Sequence, residues 1–148
     1  AEEAKKKGFT QVLWLDGIKR KYVEEVGTMN LFFFIGDKLI TPPLEGTILP
    51  GVTRDSVIHL ARDWKIKILE RKLSIDEVFK ASKEGRLKEA FGSGTAAVIS
   101  PVGEIHHNKK RIIINKGRIG PLSQKLYDEI TGIQYGERVD KSGWCYLI

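Results

Sequence analysis

Three short turns containing glycine and threonine constrain this chain more than any other feature of its sequence. They occupy residues 25–30, 49–54 and 92–96, with the sequences EVGTMN, LPGVTR and GSGTA. Each turn offers backbone N–H groups and a hydroxyl group where a small residue keeps other side chains away, and such turns bind phosphates and carboxylates. Because the carboxylate of Glu25 begins the first turn, the three turns together predict one site for an anionic cofactor.

Composition places the chain among soluble globular proteins of one domain. It has 148 residues, of which 41% are hydrophobic and 30% are charged. Its apolar runs are far shorter than the ~20 residues that a membrane helix needs, so no membrane partner is expected. The single Cys145 excludes an internal disulfide and a thiolate metal site, and it suits a reducing compartment such as the cytoplasm.

The net charge of +6 raises nucleic acid as a possible partner. The basic residues cluster at positions 5–7, 19–21 and 109–111, at the ends of predicted elements and without interleaved aromatic residues. This distribution favours solvated surface over a nucleic-acid interface. A basic nucleic-acid-binding module remains the alternative of a different class, and steeply salt-dependent DNA binding would support it.

The apolar pattern predicts strands and helices in mixed order, and therefore an α+β (mixed α/β) domain. Ser74 and Glu77 form a capping box at the start of one helix. The predicted strands span 12–15, 30–35, 38–41, 66–68, 94–100 and 111–115, with a turn at 106–109. The predicted helices span 1–7, the residues after Thr53, 74–85, and 121–132.

Two of the turns have a functional and a purely structural interpretation. Val52 and Thr53 could donate their amides to a phosphate at the start of a helix, or Thr53 could be an ordinary N-cap residue. Thr95 could supply a hydroxyl and an amide, or residues 92–96 could be a tight helix-to-strand turn. The 92–96 turn lacks the lysine and the spacing of a nucleotide P-loop, so nucleotide hydrolysis is not expected.

Glu25 is the candidate partner for a cationic group. Adjacent strand residues point to opposite faces, so at most one of Glu24 and Glu25 faces inward, and Glu25 leads directly into the glycine turn. An inward carboxylate needs a partner such as the protonated nitrogen of a heteroaromatic cofactor. His59, His106 and His107 lack the spacing of metal ligands, so no metal site is expected.

The same motifs closely resemble those of branched-chain amino acid aminotransferases, in the order found in that family. The matching runs are YVEEVGTMNLFF (22–33), TPPLEG (41–46), LPGVTR (49–54), FGSGTA (91–96) and IQYG (133–136). The resemblance implies a fold-type IV enzyme that uses pyridoxal 5'-phosphate, with residues 1–148 forming most of its large C-terminal domain. It further implies a cytoplasmic homodimer that, in amino-acid biosynthesis, transfers amino groups between leucine, isoleucine or valine and 2-oxoglutarate.

The resemblance also implies roles for individual residues. Glu25 pairs with the pyridine nitrogen of the cofactor, and the amides of Val52 and Thr53 bind its phosphate. The hydroxyl of Thr95 supports the phosphate, and the amides of the Thr95–Ala96 turn face the substrate carboxylate. Thr28 lies beside the cofactor.

Two departures from the family follow from the same comparison of motifs. The resemblance places the lysine that forms the Schiff base upstream of Ala1, and the lysines at 5–7 lack the sequence context of that lysine. No catalytic residue is therefore assigned. The segment alone should be inactive. Ala97 and Ser100 stand where some relatives have a Cys-x-x-Cys switch, so that switch is not expected. D-amino acid transaminases and aminodeoxychorismate lyases share the fold and remain alternatives, although residues 26–30 and 41–46 favour the branched-chain group.

Overall fold

A branched seven-stranded sheet organises the computed structural model, which describes residues 2–146. A separate two-stranded hairpin and a short 3-10 turn at Asn115–Gly117 complete it. The strands are β1 (Leu13–Leu15), β2 (Val23–Val26), β3 (Met29–Ile35), β4 (Lys38–Thr41), β5 (Lys67–Glu70), β6 (Leu87–Gly94), β7 (Val98–Pro101), β8 (Glu104–His107) and β9 (Lys110–Ile113). The helices are α1 (Glu2–Lys6), α2 (Val52–Asp63), α3 (Ile75–Lys83) and α4 (Pro121–Gln134). The predicted α+β class is confirmed.

Strand β3 is the centre of the sheet. It pairs with β6 along one edge, and along the other edge it pairs first with β2 and then with β4. These pairings are antiparallel, whereas β4 and β5 pair in parallel and are connected through α2. A helix that joins two parallel strands begins at their carboxyl ends, and the crevice at that edge is where ligands bind in open α/β sheets.

The two faces of β3 form two separate cores. Leu31 and Phe33 point to a core shared with α3 and the β8–β9 hairpin. Phe32 points to a core shared with α2 and α4, and its ring stacks on that of Phe91 with the centroids 5.2 Å apart. The prediction that residues 30–35 form a strand buried on both faces is therefore confirmed.

Both predicted helix starts at Gly51 and Ser74 are found, with different caps. Ser74 accepts a hydrogen bond from the Glu77 amide at 3.1 Å, as the capping box predicts. In α2 the N-cap residue is Gly51, which has no side chain to cap the helix. The structural interpretation of Thr53 as the N-cap is therefore wrong, because Thr53 lies inside the first turn.

The largest error of the sequence analysis concerns residues 87–101. Residues 94–100 were predicted as a strand that follows a helix-to-strand turn, but 92–94 end β6 and residues 95–97 form a turn that leads into β7. Residues 87–94 are nearly all buried, so they lack the alternation that marks a half-exposed strand.

Smaller boundaries also differ from the sequence analysis, and the strand predicted at 111–115 ends at Ile113 because Asn115 begins the 3-10 turn. His106 and His107 belong to β8, so the hairpin turn consists of Asn108 and Lys109 alone. Helix α4 continues past Gly132, where a Cβ atom would lie 2.7 Å from Arg138 Cδ, so this glycine permits packing and is not a helix stop. In the predicted helix 1–7, Ala1 lies outside the described residues.

Within residues 2–146, none of the helices has the length and apolar character that crossing a membrane requires.

Candidate functional site

The start of α2 presents free amide groups at the carboxyl edge of the β4–β5 pair. The first bond within the helix joins the Asp55 amide to the Gly51 carbonyl at 3.1 Å, so the amides of Val52 and Thr53 have no partner inside the helix. The helix dipole adds partial positive charge at this end. Val52 is 84% exposed and Thr53 is half-buried, so this end of the helix lies at the protein surface.

Three polar side chains lie in one row across the sheet below this helix start. Glu25 of β2 pairs with Asn30 of β3, and Asn30 pairs with Ser93 of β6. Directly paired residues on neighbouring strands project to the same face. Ser93 also pairs with Ile99, which belongs to the core under α2 and α4, so the row faces α2.

Asn30 connects this row to the turn before α2. Its Nδ2 group donates to the Leu49 carbonyl at 2.8 Å, and its side-chain oxygen approaches Gly51 so closely that a Cβ atom there would collide with it. The backbone of Gly51 is extended, so the requirement for glycine is steric and does not come from a positive φ. The 49–51 turn is thus packed directly on the sheet.

Glu25 is held by the same residue of this turn as Asn30. It is half-buried, and its Oε1 atom accepts a hydrogen bond from the Leu49 amide at 3.2 Å. Leu49 itself is 68% exposed. The adjacent Glu24 is also half-buried and accepts a weaker contact from Thr47 Oγ1 at 3.4 Å.

Ser93 is the most unusual member of the row. Its side chain is 1% exposed, and its Oγ atom has no hydrogen-bond partner among residues 2–146. Leaving a buried hydroxyl unpaired costs about 1–3 kcal/mol. A hydroxyl in this condition, on the sheet face that α2 covers, is a group that a bound ligand would satisfy, and a phosphate oxygen would accept from it.

The remaining predicted residues lie in two turns at this end of the sheet. Thr28 is in the β2–β3 turn, and Thr95 and Ala96 are in the β6–β7 turn, and all three are exposed. The two turns are neighbours, because a Cβ atom on Gly94 would lie 3.1 Å from Met29 Cγ. The sheet therefore brings all three glycine–threonine turns to the same end.

Asn30 and Ser93 are not among the residues that the sequence predicts for the site. Asn30 could have been noticed as a polar residue that begins an otherwise apolar run, whereas no local pattern distinguishes Ser93 from Thr95. Among the described residues, no three His, Cys, Asp or Glu side chains come together to hold a metal ion.

Comparison with known proteins shows a consistent set of relatives. The chain matches the family described as "Amino-transferase class IV" over residues 1–105. It is 57% identical over 141 residues to the branched-chain-amino-acid aminotransferase 2 of Bacillus subtilis (strain 168), which covers 95% of this chain. It is 45% identical over 146 residues to the branched-chain-amino-acid aminotransferase of Mycolicibacterium smegmatis, which covers 96% of this chain. The chain spans 39% and 40% of the lengths of these two relatives.

Solved structures of the same kind share the fold. The crystal structure of the Escherichia coli branched-chain amino acid aminotransferase superposes with a TM-score of 0.81 at 34% identity, over 97% of this chain and 44% of that one. A branched-chain amino acid aminotransferase from T.th., complexed with N-(5'-phosphopyridoxyl)-L-glutamate, superposes with a TM-score of 0.79 at 29% identity, over 97% of this chain and 44% of that one.

Proposed function

The chain belongs to the class IV aminotransferase family, and from this membership we propose that it forms most of the large C-terminal domain of a branched-chain amino acid aminotransferase that uses pyridoxal 5'-phosphate. The names of its relatives support the activity, and the phosphopyridoxyl ligand of one solved relative supports the cofactor. Because the chain spans about two fifths of those relatives, the activity is that of the whole protein.

The single observation that carries the proposal is the unpartnered hydroxyl of Ser93, in the row of polar side chains on the sheet face that α2 covers. A phosphate dianion is an acceptor of several hydrogen bonds and is stabilised at a helix N-terminus. The amides of Val52 and Thr53 and the hydroxyl groups of Ser93 and Thr95 would hold it. The residues present therefore fit the phosphate end of the cofactor.

Glu25 fits the opposite end of the cofactor. Bound pyridoxal phosphate supplies an electron sink for the negative charge that develops at the substrate Cα when its proton leaves. A carboxylate next to the ring nitrogen stabilises the protonated form of that nitrogen. Glu25 would serve in this role, because its Oε1 atom is already fixed by the Leu49 amide.

The two exposed turns would face the substrate side. The amides of Thr95 and Ala96 would bind the substrate carboxylate, and Thr28 would lie beside the cofactor. The lysine that carries the cofactor would come from the part of the protein outside these 148 residues. We further propose 2-oxoglutarate as the amino acceptor, a homodimeric assembly and a cytoplasmic location, as the family resemblance implies.

The test uses the full-length protein that contains this chain. With pyridoxal phosphate bound, it should transfer the amino group of leucine, isoleucine and valine to 2-oxoglutarate. The Glu25→Gln variant should lose activity by about 100-fold, the effect of removing one electrostatic group at a reacting centre, because a neutral amide cannot keep the ring nitrogen protonated. Steady-state rates with each amino acid measure the effect.

The matched control is Glu24→Gln, which neutralises the neighbouring carboxylate and should retain its activity. Equal losses in both variants would contradict the role of Glu25. Faster turnover of D-amino acids than of L-leucine would replace the branched-chain assignment with a D-amino acid transaminase. Release of pyruvate from aminodeoxychorismate would replace it with a lyase of the same fold.

A further inference from the structure

Arg54 is a buried cation in an unfavourable position. Arg54 is 4% exposed and occupies the third position of α2, where the helix dipole disfavours positive charge. Arginine is almost never fully buried unless it is paired. Its Nε atom nevertheless has no hydrogen-bond partner within the described part of the chain.

The contacts of Arg54 connect three segments of chain. One terminal nitrogen of its guanidinium donates to the Pro42 carbonyl at 3.0 Å and to Glu70 Oε2 at 2.9 Å. Pro42 directly follows β4, and Glu70 is the last residue of β5. Arg54 therefore links the first turn of α2 to the carboxyl ends of both parallel strands.

Stability alone does not account for this arrangement. The Glu70 side chain is 38% exposed, so water screens its attraction to Arg54, and that attraction repays little of the cost of desolvating the buried guanidinium. The unpaired Nε atom adds a further cost. One guanidinium nitrogen bonded to groups at the ends of two strands does, however, fix the position of the first turn of α2 relative to both strands.

We propose that Arg54 is a positioning residue for the cofactor phosphate. By bonding to Pro42 and Glu70, it fixes the orientation of the first turn of α2, so that the amides of Val52 and Thr53 converge on one point. The proposal rests on the proposed function and deepens its phosphate site. It assigns Arg54 no contact with the cofactor or the substrate.

The position of Arg54 makes its effect specific to one end of the cofactor. The ring end depends on Glu25 and its bond from the Leu49 amide, to which Arg54 does not contribute. Loss of Arg54 should therefore weaken binding of the phosphate group and leave recognition of the ring intact. Pyridoxal, which has the ring without the phosphate, separates the two contributions.

The experiment compares binding of pyridoxal 5'-phosphate and of pyridoxal to the full-length apoprotein, by absorbance titration. Arg54→Met should bind pyridoxal phosphate about tenfold more weakly, the factor that corresponds to one charged hydrogen bond, and should bind pyridoxal as the unchanged protein does. Glu70→Gln should show a smaller loss with the same selectivity. Arg54→Lys keeps the charge on a more flexible side chain and should lose less affinity for pyridoxal phosphate than Arg54→Met.

Arg62→Met is the matched control. Arg62 lies on the same helix and reaches the same Glu70 at 3.6 Å, but it is largely exposed and far from the first turn. This variant should bind both ligands normally, because exposed ion pairs contribute little.

Each outcome decides the proposal. Equal weakening of both ligands by Arg54→Met, or no weakening, would overturn it. If Arg54→Met does not fold, then Arg54→Lys and Glu70→Gln decide by the same comparison, and unselective losses in them would overturn the proposal. Failure of the unchanged full-length protein to bind pyridoxal phosphate would instead refute the proposed function, which is a separate result.

Discussion

At the scale of single residues, two buried serine hydroxyls differ in whether they have a partner. Ser93 Oγ has none among residues 2–146, whereas Ser123 Oγ donates to Glu89 at 2.7 Å. Both residues are 1% exposed, so burial does not distinguish them. We expect Ser93→Ala to leave the stability of the apoprotein unchanged or higher, because it removes an unsatisfied group, and to weaken binding of pyridoxal phosphate.

Ser123→Ala is the comparison variant, and we expect the opposite effects on stability and on cofactor binding. It should lower the stability of the apoprotein by about 1 kcal/mol and leave cofactor binding intact. Thermal unfolding and absorbance titration of the full-length apoprotein measure the two effects. A Ser93→Ala protein that is less stable and binds the cofactor normally would show that the hydroxyl is structural.

The same residues show how far sequence reasoning reaches into the site. Glu25, Val52 and Thr53 could be selected from turn chemistry, because each depends on its immediate neighbours in the chain. Asn30 and Ser93 become neighbours only through the register of β3 against β6. That register is set by long-range packing, so no local pattern identifies them.

At the scale of elements, strand β6 supplies the cap of a helix that is distant in sequence. The N-cap residue of α4, Gly120, has no side chain, and Glu89 accepts hydrogen bonds from the amides of Leu122 at 2.9 Å and Ser123 at 2.8 Å. This partnership permits a glutamate to be buried in a sheet. It also explains why β6 was not predicted, since a charged residue at a buried position breaks the apolar pattern by which a buried strand is identified.

We expect Glu89→Gln to open the first turn of α4. The amide side chain would present donors to backbone donors, which costs about 2 kcal/mol locally. Hydrogen exchange at Leu122 and Ser123 in the full-length protein should become about 30-fold faster. Glu84→Gln, at an exposed position, should leave both rates unchanged, and unchanged rates in Glu89→Gln would contradict the capping role.

Other elements were predicted closely because their signals are local. Helix α3 begins at a capping box. Strand β4 lies between a glycine turn and two prolines, which cannot continue the pairing. In both cases residues with fixed conformational preferences mark the boundary. The turn predicted at 92–96 lies instead at 95–97, because residues 92–94 belong to β6. Charge alone had kept a nucleic-acid-binding module open as an alternative, and family membership disfavours it.

At the scale of the whole molecule, the sheet separates a core that supports the site from one that does not. Phe32 and Phe33 are adjacent and fully buried, but Phe32 faces α2 and α4 whereas Phe33 faces α3. We expect Phe32→Leu and Phe33→Leu to destabilise the protein similarly, by about 1 kcal/mol. Only Phe32→Leu should weaken binding of pyridoxal phosphate, because Phe32 packs beneath the helix that carries the amides.

Thermal unfolding and cofactor titration of the two full-length variants test this difference. Equal losses of cofactor affinity at equal losses of stability would mean that the two cores act as one unit.

The backbone of Leu49 determines what length of molecule the site accepts. Its amide is bonded to Glu25 and its carbonyl to Asn30, and the N-cap of α2 follows two residues later. The carboxylate and the helix amides consequently stand at a separation that neither can adjust alone. An analogue of the cofactor with one additional methylene between ring and phosphate could satisfy either end of the site, but not both at once.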